Sequence, residues 1–161
     1  MQSRHTTGLK LFASLGALAV SIGFAAGAVA APIAPQDVKI VDHKIDASLT
    51  GAAGNVEAGK KWFKGRKAGN CLACHENSDM ASEAFHGEIG PSLDGVAGRY
   101  SEGQLRAILV NSKAVFGGET IMPSFYRANF GHRIAKSFKD KTILSAEQVE
   151  DVVAYLKTLG E

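Results

Sequence analysis

One pentapeptide, Cys71-Leu72-Ala73-Cys74-His75, constrains this chain more than any other stretch. Two thiols with two residues between them fall on the same side of a single helical turn. They are spaced to add across the two vinyl groups of one porphyrin, which would leave the cofactor covalently attached. The histidine that follows directly is then held beneath the iron and can act as its proximal ligand. The other readings of a C-x-x-C pair fit less well. A redox dithiol wants a βαβ setting, and a zinc site wants a second ligand pair; neither is found. A disulfide between cysteines three apart closes too small a loop to constrain the unfolded chain much. With only two cysteines in the chain, haem attachment uses both.

Residues 1–30 read as a signal peptide. Arg4 and Lys10 give a positive start, Leu11 to Val29 is uncharged and rich in small apolar residues, and Ala28-Val29-Ala30 is a small-x-small cleavage site, with cutting after Ala30. A retained membrane anchor is the alternative for the same stretch. Export to the periplasm agrees with the haem reading, since c-type haem is attached outside the cytoplasm. Removal takes Arg4 and Lys10 from the 18 basic residues and none of the 16 acidic ones, so the mature charges balance. The basic character of the whole sequence therefore belongs to the leader and gives no reason to expect a nucleic-acid partner. Residues 31–161 suffice for one domain and contain no second apolar run long enough to span a membrane.

Residues 31–54 form an N-terminal extension before a domain at 55–161. Pro32 and Pro35 interrupt regular structure, Val38-Lys39-Ile40-Val41 has the makings of a short extended segment, and Gly51 and Gly54 punctuate the end. Its apolar residues Ile33, Val38, Ile40, Val41 and Ile45 leave two readings open: a loosely ordered tail, or an arm that lies along a partner.

A helix is expected from the N-cap Asn55, with Glu57 in its first turn and Gly59 and Phe63 on one face. A glycine inside a helix implies that another backbone passes close by. After His75 a polar loop, Glu76 to Glu88, leads to Gly90-Pro91-Ser92-Leu93. The stiff prolyl turn presents carbonyls, one of which can accept the free N–H of His75. Arg99 is a candidate partner for a haem propionate, with a solvated surface arginine as the alternative.

Ser101 and Gln104 make a capping box for a helix with apolar Leu105, Ile108 and Leu109; Asn111 to Glu119 reads as a loop. That loop delivers Met122-Pro123. Met122 is the main candidate for the second axial ligand, a soft thioether suited to haem iron. A core methionine is the ordinary alternative, and Met80, His43, His86 and His132 are the rivals. Phe130 to Thr142 is a basic surface excursion. Ser145 and Gln148 cap a last helix with Val149, Val152, Val153, Leu156 and Leu159 at helical spacing. The expectation is an all-α domain wrapped on one haem.

Gly59-x-x-x-Phe63, Cys71 to His75, Gly90-Pro91-x-Leu93, Met122-Pro123 and Val152 to Leu156 together resemble class I cytochrome c. The resemblance implies that the first and last helices cross at the glycine, that the Pro91 carbonyl orients His75, and that Met122 completes the iron. A narrower set of words resembles the SoxX family: Ser48-Leu49-Thr50-Gly51, Gly69 to His75, Ile89-Gly90-Pro91, Met122-Pro123-x-Phe125-Tyr126-Arg127 and Ile143 to Leu156. That family implies a monohaem subunit bound to a SoxA-like cytochrome subunit, in a periplasmic complex that oxidatively links thiosulfate to a carrier-protein cysteine. Within that L-cysteine S-thiosulfotransferase the SoxX-like subunit would pass electrons to a downstream acceptor, another cytochrome, and would not be catalytic alone. Independently of the family, no thiol is spare for sulfur chemistry, and an iron with two protein ligands has no open position. The alternative is a free-standing soluble class I cytochrome c electron carrier.

Overall fold

The computed structural model describes residues 31–129, 131 and 133–160. The expected signal peptide at 1–30 and the rival His132 lie outside the described residues. Among the described residues four α-helices follow in chain order: α1 (Val56–Lys64), α2 (Val96–Arg99), α3 (Glu102–Phe116) and α4 (Ala146–Leu156). Short 3₁₀ turns occur at Cys71–Ala73, Ser78–Met80 and Lys136–Phe138. Among the described residues the sole β pairing is an isolated bridge between Val41 and Lys44, and no helix is long and apolar enough to cross a membrane.

The crossing of α1 and α4 frames the domain. The Asn55 side chain accepts from Ala58 N–H at 2.8 Å and starts α1. Ser145 and Gln148 close a capping box that starts α4. Gly59 lets the two backbones touch: a Cβ there would lie 1.9 Å from the Asp151 carbonyl oxygen. The Asp151 carboxylate then ties both ends of α1, accepting from Asn55 N–H at 2.7 Å and from the Trp62 indole at 3.1 Å. Phe63 meets Tyr155 edge to face, with ring centroids 5.3 Å apart. Leu49, Val149, Val152, Val153 and Leu156 fill the core around this crossing.

The N-terminal extension packs onto that core, which corrects the reading of it as a loosely ordered tail. Ile45 and Leu49 are buried, and Val38 and Ile40 pack against the core. Its backbone is bonded into the domain. Ile45 N–H donates to the Gly103 carbonyl at 3.0 Å, and Leu49 N–H donates to the Glu150 carboxylate at 2.8 Å. The Tyr126 hydroxyl donates to the Ile33 carbonyl at 2.8 Å. After Val38–Ile40, residues 41–44 turn back on themselves, with Asp42 (φ 48°) and His43 (φ 59°) both left-handed. That is the two-residue geometry of a tight hairpin turn. All four residues of the turn stand in solvent, Val41 at 64% exposure.

Helix α3 differs from expectation at its end. It runs on to Phe116, but Asn111 inside it has φ −150° and ψ 80°, so the expected loop is a kink followed by another stretch of helix. The cause is local: the Asn111 side chain accepts from Ala114 N–H at 3.3 Å and acts as a new N-cap in mid-helix.

Candidate functional site

The Cys71–Ala73 turn begins at Asn70, whose backbone is left-handed (φ 50°, ψ 38°). Buried Leu72 anchors the turn in the core. Cys74 and His75 N–H groups both donate to the Cys71 carbonyl, at 3.1 and 3.0 Å. Both cysteines are free thiols, each half-buried. Burial pushes the Cys71 thiol up to about 12. Among the described residues no group of three or more His, Cys, Asp or Glu side chains is gathered to hold a metal ion, so the zinc reading finds no donor set.

The loop at 87–93 is laid alongside this motif by main-chain bonds. Gly87 N–H donates to the Leu72 carbonyl at 2.8 Å, Gly90 N–H to Cys74 at 2.7 Å and Leu93 N–H to Glu76 at 2.9 Å. His75 Nδ1 lies 2.7 Å from the Pro91 carbonyl oxygen. A carbonyl can only accept, so Nδ1 carries the proton and Nε2 keeps its lone pair. The Arg99 guanidinium donates to the Ser92 carbonyl at 2.6 Å and to the Asp94 carbonyl at 2.5 Å. It braces the turn that holds Pro91. Asp94 in turn accepts from Ser78 N–H at 2.8 Å and from the Ser78 hydroxyl at 2.6 Å, and these bonds hold its carboxyl below the usual carboxylate range.

Met122 is half-buried against the core on the loop after α3. The described rivals are occupied elsewhere. Met80 is buried in the core. His86 accepts from Asn77 N–H at one ring nitrogen (3.2 Å) and donates to the Met80 carbonyl from the other (3.0 Å). His43 sits exposed in the hairpin turn. Beside these groups the chain leaves large apolar side chains in solvent: Phe85 (82%) and Ile89 (65%) near the Pro91 turn, and Ile121 (73%) next to Met122. Two free thiols, an imidazole lone pair, a thioether and uncovered apolar side chains are what a porphyrin requires.

The Cytochrome c family profile matches residues 56–160. The chain belongs to the cytochrome c family. A chain in the crystal structure of SoxXA from P. pantotrophus is 42% identical to this cytochrome, with a TM-score of 0.76, and the match covers 81% of this chain and 100% of that one. The cytochrome is therefore SoxX-type, an electron-transfer protein with a covalently bound haem c. The c-type cytochrome SorU from Sinorhizobium meliloti is 23% identical, with a TM-score of 0.43, over 65% of this chain and 90% of that one. No curated protein matches this cytochrome.

Sequence reasoning missed two contributors to the site. Gly90 carried a signal in its position before Pro91: a Cβ there would lie 2.3 Å from His75 Cε1. Ser112, buried in a stretch read as loop, left no local signal.

Proposed function

We propose that Cys71 and Cys74 bind the haem through thioether bonds and that His75 and Met122 are its axial ligands. The observation that carries this is the 2.7 Å hydrogen bond from His75 Nδ1–H to the Pro91 carbonyl. It fixes the tautomer, aims the Nε2 lone pair away from the loop and raises the basicity of the imidazole. When bound, the haem supplies a one-electron couple. The protein's own residues exclude water, hold the imidazole and present the thioether, which favours the reduced iron. Arg99 supports this indirectly by bracing the Pro91 turn, and its remaining N–H groups are the donors available to a propionate.

By its likeness to SoxXA, this chain works as a subunit paired with a SoxA-like cytochrome in the periplasm, after residues 1–30 are removed. Its two cysteines are both spent on the cofactor and two protein ligands fill the iron. The joining of thiosulfate to a carrier-protein cysteine therefore belongs to the heterodimer, and this subunit takes the electrons onward to another cytochrome.

The test is the mature protein made in cells able to attach c-type haem, with and without its partner. The expected result is one haem mass that resists acid–organic extraction, a sulfur-to-iron near-infrared band absent in Met122→Ala, and thiosulfate turnover by the heterodimer only. Turnover by the isolated subunit would overturn the conduit reading. A stable monomer with no affinity for the SoxA-like subunit would favour the free carrier.

A further inference from the structure

The loop that carries Met122 is seated on the kink of α3. At Asn111 the helix breaks, and the break turns main-chain groups of α3 toward the loop. Leu109 and Val110 carbonyls accept from the Phe125 and Tyr126 N–H groups at 2.8 and 3.3 Å. Three consecutive side chains at the break also reach the loop. Asn111 accepts from the Ser124 hydroxyl at 3.0 Å, and Lys113 donates to the Thr120 carbonyl. Ser112, with no solvent exposure, donates to the carbonyl of Met122 itself at 2.6 Å.

The bond from Ser112 is the one that bears on the sulfur. Met122 has few other local restraints; its own N–H is held only by the Thr120 hydroxyl at 3.4 Å. Pro123 after it limits the backbone but donates nothing. A buried serine whose donor is already committed cannot be exchanged for an apolar residue without leaving the Met122 carbonyl short of a partner. A regular helix would spend the Leu109 and Val110 carbonyls within itself, so the kink is what makes the seat.

We infer that Ser112, set in the Asn111 kink, is the positioning residue for Met122, and that it controls how readily the thioether leaves the iron. This rests on the reading of Met122 as axial ligand. Ser112 touches neither iron nor porphyrin in this role; it acts through the main chain of Met122.

The experiment measures cyanide binding to the oxidised, haem-loaded protein, with the near-infrared sulfur-to-iron band as a second readout. Cyanide enters only when the thioether is off, so its rate reports the fraction of time that Met122 is displaced. Ser112→Ala should keep the haem and the band at neutral pH yet bind cyanide about tenfold faster, the effect of one lost hydrogen bond. Ser112→Thr keeps the hydroxyl and should return the rate toward that of the wild type. Lys113→Met, at a half-buried site on the same seat, should raise the rate by a smaller factor, and it decides the matter if Ser112→Ala fails to fold. A wild-type cyanide rate in both Ser112→Ala and Lys113→Met, with the band present, overturns the inference; so does a Thr variant as fast as the Ala variant. Absence of the band from the wild type, or its survival in Met122→Ala, overturns the ligand reading instead.

Discussion

The imidazole of His75 rests on the bare Cα of Gly90: a methyl group there would stand 2.3 Å from Cε1 and 2.6 Å from Nδ1 of the ring. The same ring donates to the next residue's carbonyl, Pro91, at 2.7 Å. One residue clears the space and its neighbour supplies the acceptor, so the dipeptide sets both where the ring lies and which nitrogen is free.

Gly90→Ala should push the ring off the Pro91 carbonyl. The loss is about 1 kcal/mol for the bond, and the imidazole becomes a poorer donor to iron. The expected result is a raised reduction potential with the haem still attached, read by redox titration. Pro91→Ala keeps the carbonyl and should shift the potential far less; equal shifts would separate the potential from this bond.

At the helix crossing the neighbour is main chain and cannot swing away. Gly59→Ala would place its methyl 1.9 Å from the Asp151 carbonyl oxygen. Overpacking against backbone should cost about 3 kcal/mol, seen as a lower urea midpoint. An unchanged midpoint would mean that the crossing tolerates a wider spacing.

Asp79 supplies a pH test. Its carboxylate accepts from the Tyr155 hydroxyl at 2.9 Å and pairs with Lys60 at 3.0 Å. The Lys60 and Tyr155 bonds hold its pKa below the ordinary carboxylate range. A depressed folded pKa means stability that is present above the unfolded value, near 3.9, and lost as pH falls through the folded one. The stability gap between wild type and Asp79→Asn should be level from about pH 5 to 8 and close below about pH 4. Lys60, raised chiefly by its bond to Asp79, works with the opposite sign: its share persists below its unfolded pKa and is lost as pH rises through the folded one. A gap that does not narrow at all as pH falls below about 4 would remove Asp79 from the acid response.

What could be read from the sequence was local. Asn55, Ser101 and Ser145 announce their helices because a cap and its N–H partner lie within three residues. The cysteine pair, His75 and the prolyl turn were legible because chemistry demands those residue types in that spacing. What escaped was long-range or geometrical. Leu49 N–H finds the Glu150 carboxylate 101 residues away, and no periodicity in the extension foretells it. Arg106 is buried at 2% exposure and held at 2.8 Å by Glu150, 44 residues away, and nothing in its local sequence points to that partner. Arg99 could be seen as a cation but not as a brace. The Asn111 kink needs a loop 11–15 residues downstream to give it a purpose.

Arg106 and Glu150 yield a further expectation. The guanidinium donates to both Glu150 oxygens at 2.8 and 2.9 Å, and to the Ile45 carbonyl at 2.8 Å. Glu150→Ala leaves the buried guanidinium only the Glu102 carboxylate at 2.5 Å and the Ile45 carbonyl, strips the Leu49 N–H of its acceptor, and should cost about 3 kcal/mol. The pair Arg106→Met with Glu150→Leu should recover much of that loss, measured by urea unfolding in a double-mutant cycle. A double variant no better than Glu150→Ala alone would show that the charges themselves hold the segment.

The N-terminal segment itself gives the last test. Its apolar residues do not wait for a partner to be covered: Leu49 has no solvent exposure and Ile45 only 5%. Deleting residues 31–49 would open the core beneath those two side chains and strip acceptors and donors from Gly103, Arg106, Glu150 and Tyr126. Lost burial and orphaned polar groups together should lower the stability of the haem-loaded domain by at least about 3 kcal/mol. Limited proteolysis should then cut the domain where it previously resisted. Val41, 64% exposed at the hairpin tip, is the control: Val41→Lys should leave the urea midpoint unchanged. If the deletion spared the midpoint and weakened only the association with the SoxA-like subunit, the segment would be a docking arm and its burial in this domain incidental.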